Sequence, residues 1–108
     1  MKTIVDNRTS RRYMTDTPIE CSFLTTGQNQ KTFVGTMLNY GPQGMYAVLG
    51  DRIRNGTILL VKTKRCSGYQ SESGLEAGFR TICLAQVKWT KRVITNGITR
   101  YGTGLQYC

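Results

Sequence analysis

The chain has 108 residues, a length that fits one domain with a modest core. Fifteen Lys and Arg against six Asp and Glu give a formal net charge of +9, which favours an anionic partner such as a nucleotide, a nucleic acid or an acidic protein. There is no histidine. Since we also find no paired carboxylates and no phosphate-binding P-loop, we predict no catalytic residues and do not expect an enzyme.

The first twelve residues differ in character from the rest of the chain. Residues 1–12 contain four basic residues and little that could be buried, so they are predicted to form a flexible basic arm. Within this arm Arg8 and Arg12 are four positions apart, with Arg11 between them. Residues 13–108 are predicted to form a single folded domain.

Short apolar runs separated by turn residues predict six or seven strands in this domain. The predicted strands are Tyr13–Thr17 leading into Ile19–Thr25, Lys31–Leu38, Met45–Leu49, Thr57–Thr63, Phe79–Trp89 and Thr99–Tyr107. No segment has helical period and length. The pattern therefore predicts an all-β fold: a small, six-stranded antiparallel β-barrel with little or no helix.

Two connections carry informative turn residues. Asn96–Gly97 between β-branched residues is the pattern of a type I′ hairpin. Asn39–Gly44 is predicted to be a wide turn of six residues, in which Gly41 and Gly44 permit positive φ and the close approach of a ligand.

The cysteines and the amino-terminal sequence bear on location. Cys21, Cys66, Cys83 and Cys108 form no C-x-x-C pair, so no metal site is predicted. A disulfide framework with three connectivities is the alternative for a secreted protein. Residues 1–6 do not resemble a signal peptide, and no apolar run approaches transmembrane length. We expect a cytoplasmic protein without membrane insertion, whose reduced cysteines pack as small hydrophobic residues.

The arm and the Asn39–Gly44 turn, taken together, resemble the PilZ domain. That family has an R-x-x-x-R motif on an N-terminal arm, followed by D/N-x-S-x-x-G at a turn between strands. The matching residues here are Arg8, Arg12, Asn39, Gly41 and Gly44. The segments Val87–Trp89 and Tyr101–Tyr107 are similar to the late strands of the family, so the resemblance extends from about Asn7 to Tyr107.

The resemblance implies a bacterial receptor for the second messenger cyclic di-GMP, with no other cofactor. It gives Arg8 and Arg12 contacts to guanine and phosphate, because a guanidinium matches the O6 and N7 acceptors of guanine. Arg11 is implied as a supplementary phosphate partner, and Asn39 as a partner for the polar edge of a guanine. Gly44 is expected to let the backbone approach the ligand.

Two positions leave alternatives open. Gly41 replaces the usual serine of the family, and the lost hydrogen bond would weaken binding by about 0.5–1.5 kcal/mol. The same replacement motivates the alternative of a nucleotide-independent protein-interaction module. Trp89 is expected either near the ligand or as a core or rim residue.

The signalling hypothesis is that ligand binding orders the arm and thereby presents a new surface to a downstream protein effector. The remaining alternative is a barrel that binds single-stranded nucleic acid, with Tyr40, Tyr46 and Trp89 stacking on bases. We rank nucleic acid third, below the two PilZ-like hypotheses, because net charge is its main support.

Overall fold

The computed structural model describes residues 12–24, 31–64 and 81–108. These ranges contain six strands and no helix: β1 (Tyr13–Phe23), β2 (Thr32–Gly41), β3 (Gly44–Leu49), β4 (Ile58–Thr63), β5 (Ile82–Thr95) and β6 (Ile98–Tyr107). The predicted all-β class is therefore confirmed. The predicted arm lies outside the described residues, except for Arg12, which directly precedes β1.

The strands form a closed barrel in the order β1-β2-β3-β6-β5-β4. Every neighbouring pair is antiparallel, and the pairing of β1 with β4 closes the ring. Closure gives each strand two neighbours over part of its length, which removes the unpaired edges that an open sheet would have there. The prediction of a six-stranded antiparallel barrel is confirmed.

The core fills the inside of the barrel with alternate residues of each strand, as the period of two dictates. The completely buried side chains include Ile19, Cys21, Met37, Met45, Leu49, Leu59, Val61 and Val87. Charged strand residues such as Glu20 and Lys62 alternate with these positions and are not buried.

Two cysteines belong to this core. Cys21 and Cys83 lie in register on either side of Val61 and both are buried, as predicted for small hydrophobic residues. Burial, with smaller effects of Cys83 and Glu20, raises the pKa of the Cys21 thiol to about 12. Cys108 is free and exposed, and Cys66 lies outside the described residues.

Strand β5 is longer than the sequence predicted. It runs from Ile82 to Thr95, so the predicted fifth strand and the short run before the hairpin are one element. Pairing with β6 continues to the tip of the hairpin, at Thr95 and Ile98, and holds the strand extended past Trp89. The type I′ prediction is supported by the positive φ of Asn96 (52°) and Gly97 (77°).

The turn after β2 is shorter than predicted. Gly41 pairs with Gly44, which leaves Pro42 and Gln43 as a connection of two residues. The prediction of a wide turn was wrong, because the strands continue through residues that belong to the core. Tyr40 and its partner Met45 in β3 are both buried.

Candidate functional site

Arg12 brings the two sequence motifs into contact. Its Nη1 donates hydrogen bonds to the side-chain oxygen Oδ1 of Asn39 and to the carbonyl oxygen of Gly44, each at 3.3 Å. These partners are 27 and 32 positions away in sequence. One arginine of the first motif therefore meets two residues of the second. Arg8 and Arg11 lie outside the described residues.

The start of β1 fixes the position of Arg12. Tyr13 pairs with Tyr40 at the end of β2, and Met14 pairs with Asn39. The two tyrosine rings stack with their centroids 5.7 Å apart and an interplanar angle of 24°. Since Tyr40 is buried in the barrel, this stack anchors the first residue of β1 beside the turn.

A β-bulge turns Asn39 outward. Met37 pairs with Ala47 and Asn39 pairs with Tyr46, so Leu38 is an extra residue in β2. Met37 and Ala47 point into the core. With regular alternation Leu38 would face Tyr46 and Asn39 would point inward. The bulge therefore reverses the orientation of Asn39 and makes its amide available on the outer surface.

Trp89 lies on the same transverse row of the barrel as Asn39. In register across three pairs of strands, this row contains Asn39, Tyr46, Gly104 and Trp89. The rings of Tyr46 and Trp89 stack with centroids 5.5 Å apart and an interplanar angle of 22°. A Cβ on Gly104 would collide with the indole of Trp89, so this glycine makes room for the stack.

This arrangement excludes a core position for Trp89. The side chain is 44% exposed on the outer face of the barrel and is not a core residue. A second β-bulge between Val87 and Trp89 leaves Lys88 as the extra residue and shifts the alternation so that Trp89 points outward. Its indole is thus accessible on the outer face of the barrel, on the same row as Asn39.

The glycines of the turn do not adopt the positive φ that was predicted for them. Among the described residues, the glycines with positive φ are Gly56 and Gly97, so Gly41 and Gly44 do not use that freedom. A Cβ on Gly44 would collide with the carbonyl oxygen of Leu105 in β6. The close approach that requires glycine at position 44 is therefore between two strands of the barrel.

The three aromatic residues that were expected to stack on bases divide into one inner and two outer side chains. Tyr40 is only 7% exposed and packs in the core, so the expectation that it stacks on bases was wrong. Tyr46 faces outward against Trp89. The contact of Tyr46 with Trp89 depends on the pairing of β3 with β6, which local sequence patterns do not reveal.

The surroundings of the outer row are basic. Lys88 and Lys91 flank Trp89 in sequence and are exposed, and residues 82–108 contain no Asp or Glu. Within the described ranges, no three metal-ligating side chains cluster together. The same ranges contain no helix of a length and hydropathy suited to crossing a membrane.

A comparison with solved structures identifies the fold. The chain is similar to the PilZ domain with c-di-GMP of YcgR from Escherichia coli, with a TM-score of 0.61 and 14% sequence identity. The alignment covers 94% of this chain and 78% of that one. The chain has the PilZ-domain fold. No protein-family model and no curated protein matches the sequence significantly.

On this PilZ-type barrel, the predicted site residues separate into three groups. Arg12, Asn39 and Gly44 are in direct contact. Trp89 lies on the row of Asn39, with the ring of Tyr46 between them in register. Gly41 is buried at the end of β2, where it pairs with Gly44.

Proposed function

We propose that this chain is a cytoplasmic bacterial receptor for cyclic di-GMP and not an enzyme. The nucleotide binds on the outer face of the barrel, between the arm that carries Arg8 and Arg12 and the segment Asn39–Gly44 around the β2–β3 turn. The observation that carries the proposal is the pair of hydrogen bonds from Arg12 to Asn39 and Gly44. The similarity to a PilZ domain of known structure with c-di-GMP supports the same ligand.

The chemistry of the site suits a guanine dinucleotide. A guanidinium donates to the O6 and N7 acceptors on the Hoogsteen edge of guanine and also pairs with phosphate. Because Asn39 and Gly44 hold the guanidinium of Arg12, less side-chain freedom is lost when the ligand arrives. Arg8 adds a second guanidinium for guanine and phosphate, and Arg11 supplements the phosphate contacts.

The outer aromatic pair supplies an apolar surface for a base. Trp89 is held by Tyr46 on one side and is 44% exposed, so a guanine can stack on its indole. Lys91 faces the same side of β5, two positions along, and can approach a phosphate. The amide of Asn39 then meets the polar edge of a guanine.

Ordering of the arm is the signalling step in this proposal. Fixing the backbone of each arm residue costs about 1–2 kcal/mol, whereas a hydrogen bond to a charged group contributes about 1.5–3 kcal/mol. Several charged contacts are therefore needed to offset the ordering cost, so both Arg8 and Arg12 are required. The ordered arm presents a new surface to a downstream protein effector.

Calorimetric titration with cyclic di-GMP tests this function. Wild type is expected to bind, and Arg8→Ala and Arg12→Ala are each expected to lose at least about tenfold in affinity. Arg54→Ala is the matched control, because Arg54 is exposed in the connection between β3 and β4. Absence of heat with wild type, or equal affinities for all four proteins, contradicts the proposal.

Gly41 supports a second candidate, a PilZ-type module that interacts with proteins without a nucleotide. The residue is buried and offers no side-chain hydroxyl at the position where the family usually has serine. This candidate predicts amide NMR signals that do not shift with cyclic di-GMP, together with an intact barrel.

A further inference from the structure

Among the described residues, the distal half of β5 is paired along one edge and open along the other. Strand β4 pairs with β5 only from Ile82 to Gln86, and backbone hydrogen bonds from Gly56 and to Thr57 extend this contact as far as Val87. From Trp89 to Thr95, β5 pairs with β6 on one side. No residue in the described ranges pairs with its other side, so alternate backbone N–H and C=O groups there lack a neighbouring strand.

The side chains along this edge form a compact pattern. Lys91 and Arg92 are adjacent and exposed, and Val93 and Ile94 follow them toward the hairpin tip. Ile94 is 64% exposed. Because successive side chains alternate between faces, each face of the strand presents one cation followed by one β-branched apolar residue.

We propose that this open edge binds an extended acidic segment of a partner polypeptide by strand addition. In antiparallel register the segment places two apolar residues opposite Ile94 and Val93, followed by two carboxylates opposite Arg92 and Lys91. Backbone hydrogen bonds supply affinity, and the cross-strand side-chain pairs supply specificity. This surface shares Lys91 with the proposed nucleotide site, but binding of the segment requires no nucleotide, so the peptide is tested in the absence of cyclic di-GMP.

Charge and backbone chemistry favour an acidic polypeptide over other partners. Residues 82–108 carry no Asp or Glu, so a second copy of the chain would bring Lys91 and Arg92 against like charges. The hydrocarbon of a bilayer offers no hydrogen-bonding groups to an unpaired strand edge. A nucleic acid would neutralise the cations and leave the backbone edge and the exposed Ile94 without complementary groups.

Fluorescence polarisation with a labelled peptide, Ser-Thr-Ile-Val-Glu-Glu-Thr-Thr, tests the proposal. Wild type is expected to bind it, and a Lys91→Glu/Arg92→Glu variant is expected to bind about tenfold more weakly. The same variant should prefer a peptide with Lys-Lys in place of Glu-Glu. Arg52→Glu/Arg54→Glu, with the same change in net charge at exposed positions away from the edge, should behave as wild type.

Two N-methylated versions of the peptide distinguish strand addition from simple charge attraction. Each version carries methyl groups on alternate backbone nitrogens, so one set faces β5 and the other faces away. One version is expected to lose binding and the other to retain it. The proposal is overturned if both versions bind equally, or if the Lys-Lys peptide fails to restore binding to the charge-reversed variant. It is also overturned if an oligonucleotide or an anionic vesicle displaces the labelled peptide from wild type at a lower concentration than the unlabelled peptide does.

Discussion

The guanidinium of Arg12 donates a hydrogen bond to the side chain of Asn39 at 3.3 Å, across 27 positions of sequence. Both side chains depend on the strand register: Tyr13 anchors β1 beside Tyr40, and the bulge at Leu38 turns Asn39 outward. A contact between the two motifs is thus a property of the barrel itself. We infer that the nucleotide meets a partly assembled site.

Trp89 provides the first prediction. It is the single tryptophan of the chain, so its fluorescence reports directly on the outer row. Cyclic di-GMP is expected to quench this fluorescence in wild type. Trp89→Ala is expected to weaken binding about five- to 150-fold in calorimetry, because base–aromatic stacking contributes about 1–3 kcal/mol. Trp89→Phe, the matched control, keeps a ring over Gly104 and should lose less. Unchanged fluorescence at saturation would place the ligand elsewhere.

Gly41→Ser restores the residue usual in the PilZ motif. A hydroxyl at this position is expected to add one neutral hydrogen bond to the ligand, which corresponds to about two- to tenfold tighter binding. Calorimetry on the two proteins side by side measures the difference, and circular dichroism checks that the variant is folded. Unchanged or weaker binding by a folded Gly41→Ser protein counts against Gly41 as a ligand-site position.

Gly44→Ala is predicted to act on stability. Its Cβ would collide with the carbonyl oxygen of Leu105, and relieving this overlap requires movement of β3 or β6. We expect the free energy of unfolding in urea to fall by about 1–3 kcal/mol. Gly50→Ala is the control, because a Cβ there meets open space. Equal stability of the two variants would show that the close approach of the strands is not needed.

Cys21 makes a pH-dependent contribution to stability. Burial raises the pKa of its thiol from 9.0 to about 12, so the folded protein keeps this proton when the unfolded chain loses it. The contribution of the protonated thiol to the free energy of unfolding is fully present below pH 9.0 and is lost as the pH rises toward 12. In urea unfolding, the stability advantage of wild type over Cys21→Ala should therefore narrow above pH 9.0. A constant difference would mean that the thiol ionises equally in both states.

The sequence was sufficient for features that depend on local patterns. Alternation of apolar residues predicted most strand positions, and Asn96–Gly97 predicted its hairpin, because both signals act between neighbouring residues. The β-bulges at Leu38 and Lys88 were not predictable, since an extra residue in a strand leaves no distinct local signature. Without them, the outward orientation of Asn39 could not be inferred.

The site was only partly predictable, because some of its contacts join strands that are distant in sequence. Motif spacing selected Arg12, Asn39 and Gly44, which the structure brings into contact. The stack of Tyr46 on Trp89 depends on both strands packing beside β6, a pairing between segments distant in sequence. The role of Gly44 in strand packing also required the register of β3 against β6.

NMR of ¹⁵N-labelled protein titrated with cyclic di-GMP tests the central claim most directly. The account predicts shifts of the Asn39 side-chain amide, the Gly44 backbone amide and the Trp89 indole N–H at the same ligand concentration. It also predicts larger heteronuclear NOE values for residues 8–12 in the complex, as the arm becomes ordered. Unshifted signals at these three groups, with unchanged dynamics of the arm at saturating nucleotide, would contradict it.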